Sequence, residues 1–300
     1  MRAASARTIA VAAALVGCGE YGFSPKSTEP DPPRAVTDTG AAWAPPVDSA
    51  PPEDTAETAD TPSDSRDDTG GVTLPGDETE PPPGIALDPV YACTATDLYT
   101  IEPSRGDATW IGAFHDSDGA PVTYFLDLAI DLDGVLYGGT FDTLYRIDAA
   151  TAEVTPLCAL GVDSYALTVT ADGAMYAGGY STINHLDPTD CSATPLVDGA
   201  PYNTAGDLVG LPDGYLYWTV WGATFGQDDL VRVDPATGAM LRVGALSVDR
   251  TFGVAYDGGW LYAFTDDGEI VSVDPGSGWT TVLADGATEW WGATTNTVTW

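Results

Sequence analysis

The chain has 300 residues and a formal net charge of −35, from 45 acidic and 10 basic side chains, and Lys26 is its one lysine. A surface of that sign repels nucleic acid phosphates and anionic membrane surfaces, whose recognition rests on cationic contacts. Nucleic acid is therefore excluded as a partner, whereas calcium, cationic ligands and neutral polymers such as glycans are not. Abundant Gly, Asp, Thr, Val, Trp and Tyr with little Lys favours turns and strands over helices.

At the N-terminus Arg2 and Arg7 precede and flank an apolar run from Ile9 to Val16. That run is too short to span a bilayer and has the anatomy of a secretory signal. Leu15-Val16-Gly17-Cys18 resembles the bacterial lipobox. The resemblance implies cleavage after residue 17 and lipid attachment at Cys18, each buried CH₂ of the lipid contributing about 0.8 kcal/mol to anchoring. Gly19, where retention in the inner membrane calls for Asp in that family, implies an outer-membrane or cell-surface address. An ordinary secretory signal with an incidental cysteine is the other reading.

From Gly19 to about Pro83 the chain is rich in Pro, Thr, Asp, Glu, Ser and Ala, with 15 acidic and 3 basic residues. Apolar residues are sparse and aperiodic, so burial cannot offset the entropy of ordering. The expected organisation is a signal peptide over 1–17, a disordered acidic tether over 18–84 and a folded domain over 85–300.

The folded part is repetitive. A phrase of hydrophobic pair, spacer, hydrophobic residue and acid recurs as Leu98–Glu102, Leu144–Asp148, Ile183–Asp187, Leu230–Asp234 and Ile270–Asp274, its acids 46, 39, 47 and 40 residues apart. An Asp-Gly followed by a hydrophobic-Tyr pair precedes four of the five: Asp133-Gly134, Asp172-Gly173, Asp213-Gly214 and Asp257-Gly258. Asp-Gly suits tight hairpins, whose turn residues need positive φ. Each unit reads as four short strands, in the second unit roughly 125–131, 135–140, 143–148 and 153–159. Four strands per 40 or so residues is the period of a β-propeller blade.

The N-terminal unit lacks a first strand, and Trp291–Asn296 aligns with the first strand of the preceding unit, Phe252–Asp257. The expected fold is all-β: a propeller of five four-stranded blades, one of them shared by the two chain ends. A six-bladed or open ring is the alternative. Val231-Arg232-Val233-Asp234-Pro235-Ala236-Thr237-Gly238 resembles the quinoprotein-like and NHL-like repeats of exported bacterial propellers. Those families include binding modules, lactonases and dehydrogenase scaffolds, so the resemblance implies the fold and no catalytic motif.

Alternating strand direction puts the turns between strands two and three, and the connections between blades, on one face. Both length anomalies belong to that face. One holds His115, Asp116, Ser117, Asp118 and Gly119. The other lengthens the stretch from Leu216 to Asp234 to 19 residues, against 13 from Leu136 to Asp148, and carries Trp221, Phe225, Asp228 and Asp229. Long loops on a rigid scaffold concentrate binding residues, so His115, Asp116, Asp118, Trp221, Phe225, Asp228 and Asp229 are candidate ligand-binding residues.

Counting back from each Asp-Gly turn gives an inner column of Ala129, Thr168, Val209, Gly253 and Gly292. Two positions earlier stand Asp127, Ala166, Asp207, Thr251 and Trp290. Asp127 and Asp207 are candidate calcium ligands at the channel mouth; no other cofactor is expected. Three cysteines, Cys93, Cys158 and Cys191, follow Cys18, and their pairing stays open.

These features favour a tethered, extracytoplasmic, non-catalytic recognition module, held to the membrane by its lipid and binding a glycan or a protein. The alternative is an extracytoplasmic hydrolase or lactonase with carboxylates or calcium at the channel mouth. Two histidines and no Gly-x-Ser-x-Gly elbow lend catalysis little support.

Overall fold

The computed structural model describes residues 90–296. The expected signal, the lipid site at Cys18 and the whole of the tether lie outside the described residues. The described chain is a closed ring of five four-stranded antiparallel sheets.

The first blade contains β1 (Val90–Cys93), β2 (Asp97–Glu102) and β3 (Asp107–Ala113). The second runs through β4 (Asp127–Ile130), β5 (Leu136–Gly139), β6 (Thr143–Ile147) and β7 (Val154–Ala159). The third has β8 (Ala166–Val169), β9 (Met175–Gly178), β10 (Thr182–Leu186) and β11 (Ala193–Asp198). The fourth has β12 (Thr204–Gly210), β13 (Leu216–Trp221), β14 (Asp228–Val233) and β15 (Met240–Ala245). The fifth has β16 (Thr251–Asp257), β17 (Trp260–Thr265), β18 (Glu269–Val273) and β19 (Thr280–Asp285). The last strand, β20 (Gly292–Thr294), pairs with β1 through Cys93↔Gly292, Ala92↔Ala293 and Tyr91↔Thr294. It completes the first blade as its innermost strand, as the repeat alignment predicts, and so removes the open edges that a broken ring would expose.

The recurring acid has a clear physical role. At each acid the backbone N–H four residues on donates to the acid's carbonyl at 2.8 Å: Gly106 to Glu102, Ala152 to Asp148, Cys191 to Asp187, Gly238 to Asp234 and Gly278 to Asp274. Those five residues have φ between 58° and 76°. The carboxylates of Asp148, Asp187, Asp234 and Asp274 each accept the backbone N–H two residues on, at 2.8–2.9 Å. The acid therefore builds the turn into the outer strand.

The buried residues form five clusters, each between two neighbouring blades. Leu98, Phe114, Phe125 and Leu128 join the first blade to the second. Val90, Phe264, Ile270 and Trp290 join the fifth to the first. The outer strands run towards the next blade, so the end of one meets the inter-strand turn of its neighbour. There Cys158 of β7 is disulfide-bonded to Cys191 in the β10–β11 turn, with Cα atoms 5.7 Å apart. The pairing left open by the sequence is thus Cys158–Cys191, and Cys93 is a buried free thiol.

The predicted inner columns need correction in two blades. Ile130, Val169 and Gly210 pair with Leu136, Met175 and Leu216, whereas Asp257 pairs directly with Trp260. In the fifth blade Gly258 and Gly259, at φ 56° and 91°, make a two-residue hairpin. The other three Asp-Gly pairs close longer turns in which the glycine alone has positive φ. Counting from Asp-Gly therefore runs two residues off in the fifth blade. Pairing register places Gly253 and Gly292, rather than Thr251 and Trp290, level with Asp127, Ala166 and Asp207.

Candidate functional site

The central layer brings Asp127 and Asp207 together. They are 1% and 0% exposed, so neither lies at an open channel mouth. Asp127 accepts N–H bonds from Leu128 on its own strand at 2.7 Å and from Leu167 on β8 at 2.6 Å. Asp207 accepts from Leu208 and from Val254 on β16. A shift in the β12–β13 register frees Asp207, and the Thr219 hydroxyl supplies the missing partner by accepting the Asp207 N–H at 3.1 Å. The two carboxyl groups lie within interaction range of each other. Burial raises both above the ordinary Asp range, Asp207 to about 7 and Asp127 well above normal, where the Asp207 charge adds to burial. Among the described residues no group of three or more His, Cys, Asp or Glu could hold a metal ion. All four carboxyl oxygens of Asp127 and Asp207 thus already accept a backbone N–H, two of them from the next blade.

The loop candidates are not gathered at one spot. The His115 backbone bridges to Glu153, at the start of the outer strand of the second blade, and its Nδ1–H donates to the Ala113 carbonyl at 3.0 Å. Asp116 accepts the N–H groups of Asp118 and Ala120 at 3.0 and 2.8 Å, a loop-closing role, while Asp118 is exposed. Asp228 is buried and accepts the Thr251 N–H at 2.9 Å; burial raises it to about 6. Asp229 is also buried and holds Arg242 through two bonds of 2.7 and 2.6 Å. The Asp228 side chain therefore binds the inner strand of the fifth blade, and that of Asp229 the outer strand of its own blade.

Trp221 and Phe225 do face solvent. Trp221 is 59% exposed and Phe225 fully so. Trp221 packs edge-on against Tyr180, ring centroids 5.8 Å apart at 85°, a favoured aromatic geometry. Tyr180 occupies in the third blade the position Trp221 holds in the fourth, five residues after the first residue of the second strand; Phe141 holds it in the second blade. All three are exposed. A fourth aromatic, Tyr124, exposed in the connection to the second blade, stands 6.5 Å from Phe141. Its φ is 67°, a left-handed conformation that costs a non-glycine residue about 1–3 kcal/mol and gathers at functional sites. Aligning the units from Leu136, Met175 and Leu216 reveals this column in the sequence.

With Leu261 and Val90 matched to Leu136 by pairing register, the same position holds Asp266 in the fifth blade and Ala95 in the first. Asp266 is ion-paired with Arg250. Beside Ala95 lies an open cavity of 430 Å³ lined by Thr94, Thr96, Asp97, Tyr99, Glu289 and Trp291, among others. One face of the ring thus carries aromatic rings on blades two to four and a polar, acidic hollow between blades five and one. Other exposed tryptophans, Trp110, Trp260 and Trp279, belong to an outer strand and to the turns of the opposite face.

No protein-family model matches the chain, and no curated protein matches it significantly. Among solved structures it is similar to a chain of a nidogen–laminin complex, at 14% identity over 69% of this chain and 81% of that one, TM-score 0.46. It is also similar to a gluconolactonase from Xanthomonas campestris, at 15% identity over 67% and 71%, TM-score 0.40. A Bacteroides thetaiotaomicron protein of unknown function is similar at 12% identity over 70% and 64%, TM-score 0.47. The chain is a β-propeller with a distant resemblance to these, and the likeness extends to the fold alone.

Proposed function

We propose that the chain is a non-catalytic recognition module displayed on the cell envelope, and that the face bearing Phe141, Tyr180 and Trp221 takes an uncharged glycan. The observation that carries this reading is the exposed Tyr180–Trp221 pair, repeated by Tyr124–Phe141 on the same face. Flat aromatic surfaces stack on the apolar faces of sugar rings. The hydroxyls and carboxylates of the neighbouring hollow offer acceptors to sugar hydroxyls. An excess of acid over base disfavours anionic polymers.

The Cys158–Cys191 disulfide supports an oxidising compartment, in line with export and a lipid anchor at Cys18. On this reading the acidic segment before the propeller is a spacer, and the address is the outer membrane or the cell surface. A hydrolase or lactonase needs acids that converge on an accessible pocket, whereas the carboxyl pair in the channel is sealed from solvent.

A panel of immobilised neutral glycans, probed with the full chain, tests the recognition reading. Binding that weakens about tenfold in Tyr180→Ala and Trp221→Ala, the loss of one stacked ring, supports it. Binding indifferent to both variants but lost on changing the opposite face at Thr151 overturns it. Fatty-acid labelling retained by Cys18→Ser would overturn the lipid anchor.

A further inference from the structure

The central layer holds two ionisable side chains that the recognition face does not use. Asp127 of the second blade and Asp207 of the fourth meet across Ala166 of the third. Each also grips the inner strand of the next blade, Asp127 through Leu167 N–H and Asp207 through Val254 N–H. The pair thereby ties blade two to three, blade four to five, and two to four across the axis. On the side of β20 the fit is close: a Cβ on Gly292 would lie 2.5 Å from both the Asp127 Cα and its Oδ1.

We propose that this carboxyl–carboxylate pair is a proton-dependent latch of the ring: one shared proton holds blades two to five together, and its loss loosens the layer beneath the recognition face. Two neighbouring carboxylates out of water cannot both ionise at ordinary pH. The titratable group facing the pair from β1 is the Cys93 thiol, which burial, and next the Asp127 charge, hold neutral. From β8, β13, β16 and β20 the neighbours are Ala166, Leu167, Thr219, Val254 and Gly292, none of them charged.

The direction of the pH dependence follows. Both acids bind protons more tightly in the folded ring than in the unfolded chain. Their contribution to stability is complete below the ordinary Asp value and declines as pH rises above it. It is gone once pH passes the folded values, which for Asp207 is about 7. The ring is therefore tighter in mild acid than in mild alkali.

Thermal unfolding of the full chain between pH 5 and pH 8 tests the latch. The wild type should lose about 10 °C across that window. Asp127→Asn keeps the shape and cannot titrate. It gives up one accepted N–H, so its midpoint starts lower, but its decline with pH should be much shallower. Asp228→Asn removes a raised carboxyl outside the pair and should keep the larger part of the decline. Should Asp127→Asn not fold, carboxyl carbon-13 shifts of the wild type decide. Asp127 and Asp207 moving together well above pH 5 supports the latch. Both titrating near pH 4, or an unchanged decline in a folded Asp127→Asn, overturns it.

Discussion

Gly292 is the point at which the end of the chain closes onto Asp127. The last strand has room for no side chain there, because the Asp127 backbone and carboxyl fill the space that a Cβ would take, at 2.5 Å. Ring closure and the central carboxyl pair are thus one packed layer, with Gly253 of the fifth blade against Gly292 on its other side: a Cβ on Gly253 would lie 2.9 Å from the Gly292 carbonyl carbon.

Gly292→Ala should therefore destabilise the ring without unfolding it. Overpacking of a methyl against backbone costs about 1–3 kcal/mol, and thermal melting should register a drop of roughly 2–10 °C. A midpoint equal to the wild type would mean that β20 can shift away from Asp127.

Removing residues 291–300 should be far more damaging. It takes away β20, leaves β1 with an unpaired edge, and exposes the inner side of the first blade. The expected result is loss of cooperative unfolding by circular dichroism. Deleting residues 19–80 should leave the propeller midpoint almost unchanged, as for a segment with no core to lose.

The disulfide is a second closure, at the rim. Cys158 and Cys191 are 33 residues apart in sequence, and a cross-link of that span contributes roughly 3–4 kcal/mol in the chain-entropy account. Cys158→Ser should lower the denaturant midpoint accordingly. In the folded, oxidised protein a thiol reagent should find Cys93 unreactive, because it is buried and burial raises its pKa.

Asp228 adds its own pH dependence. Burial raises it to about 6, opposed by the Thr251 N–H bond. Its stabilising contribution is complete below pH 4 and fades as pH rises through about 6. In Asp228→Asn the stability curve should flatten between pH 4 and 6 and keep its fall at higher pH, measured by chemical denaturation at stepped pH.

Most of the architecture can be read along the chain because a propeller is built from local units. Each blade is a run of short hairpins, so Leu144–Asp148 and its four counterparts report the third strand and the turn after it wherever they occur. The acid caps that turn by hydrogen bonds spanning two and four residues, a range a sequence motif can encode. Ring closure is legible for the same reason: Trp291–Asn296 is one more copy of a repeated strand. Trp221 can be picked out as a loop aromatic, and Phe141 and Tyr180 could have been, since they occupy the same place in the repeat.

What the tertiary structure alone decided are the meetings between units. Asp127 and Asp207 are 80 residues apart and become one carboxyl pair only because the ring brings blades two and four to a common axis. Cys158 finds Cys191 only because an outer strand runs into the turn of the next blade. Asp228 and Asp229 read as loop acids, yet the Thr251 N–H of the next blade holds the first and Arg242 of the same blade the second. Even the alignment of Gly253 and Gly292 with the acidic pair depended on a two-residue Gly258-Gly259 hairpin that shifts the fifth blade by two residues. Local hydrogen bonding writes the repeat into the sequence; the chemistry at the axis comes from long-range closure, which no single unit contains.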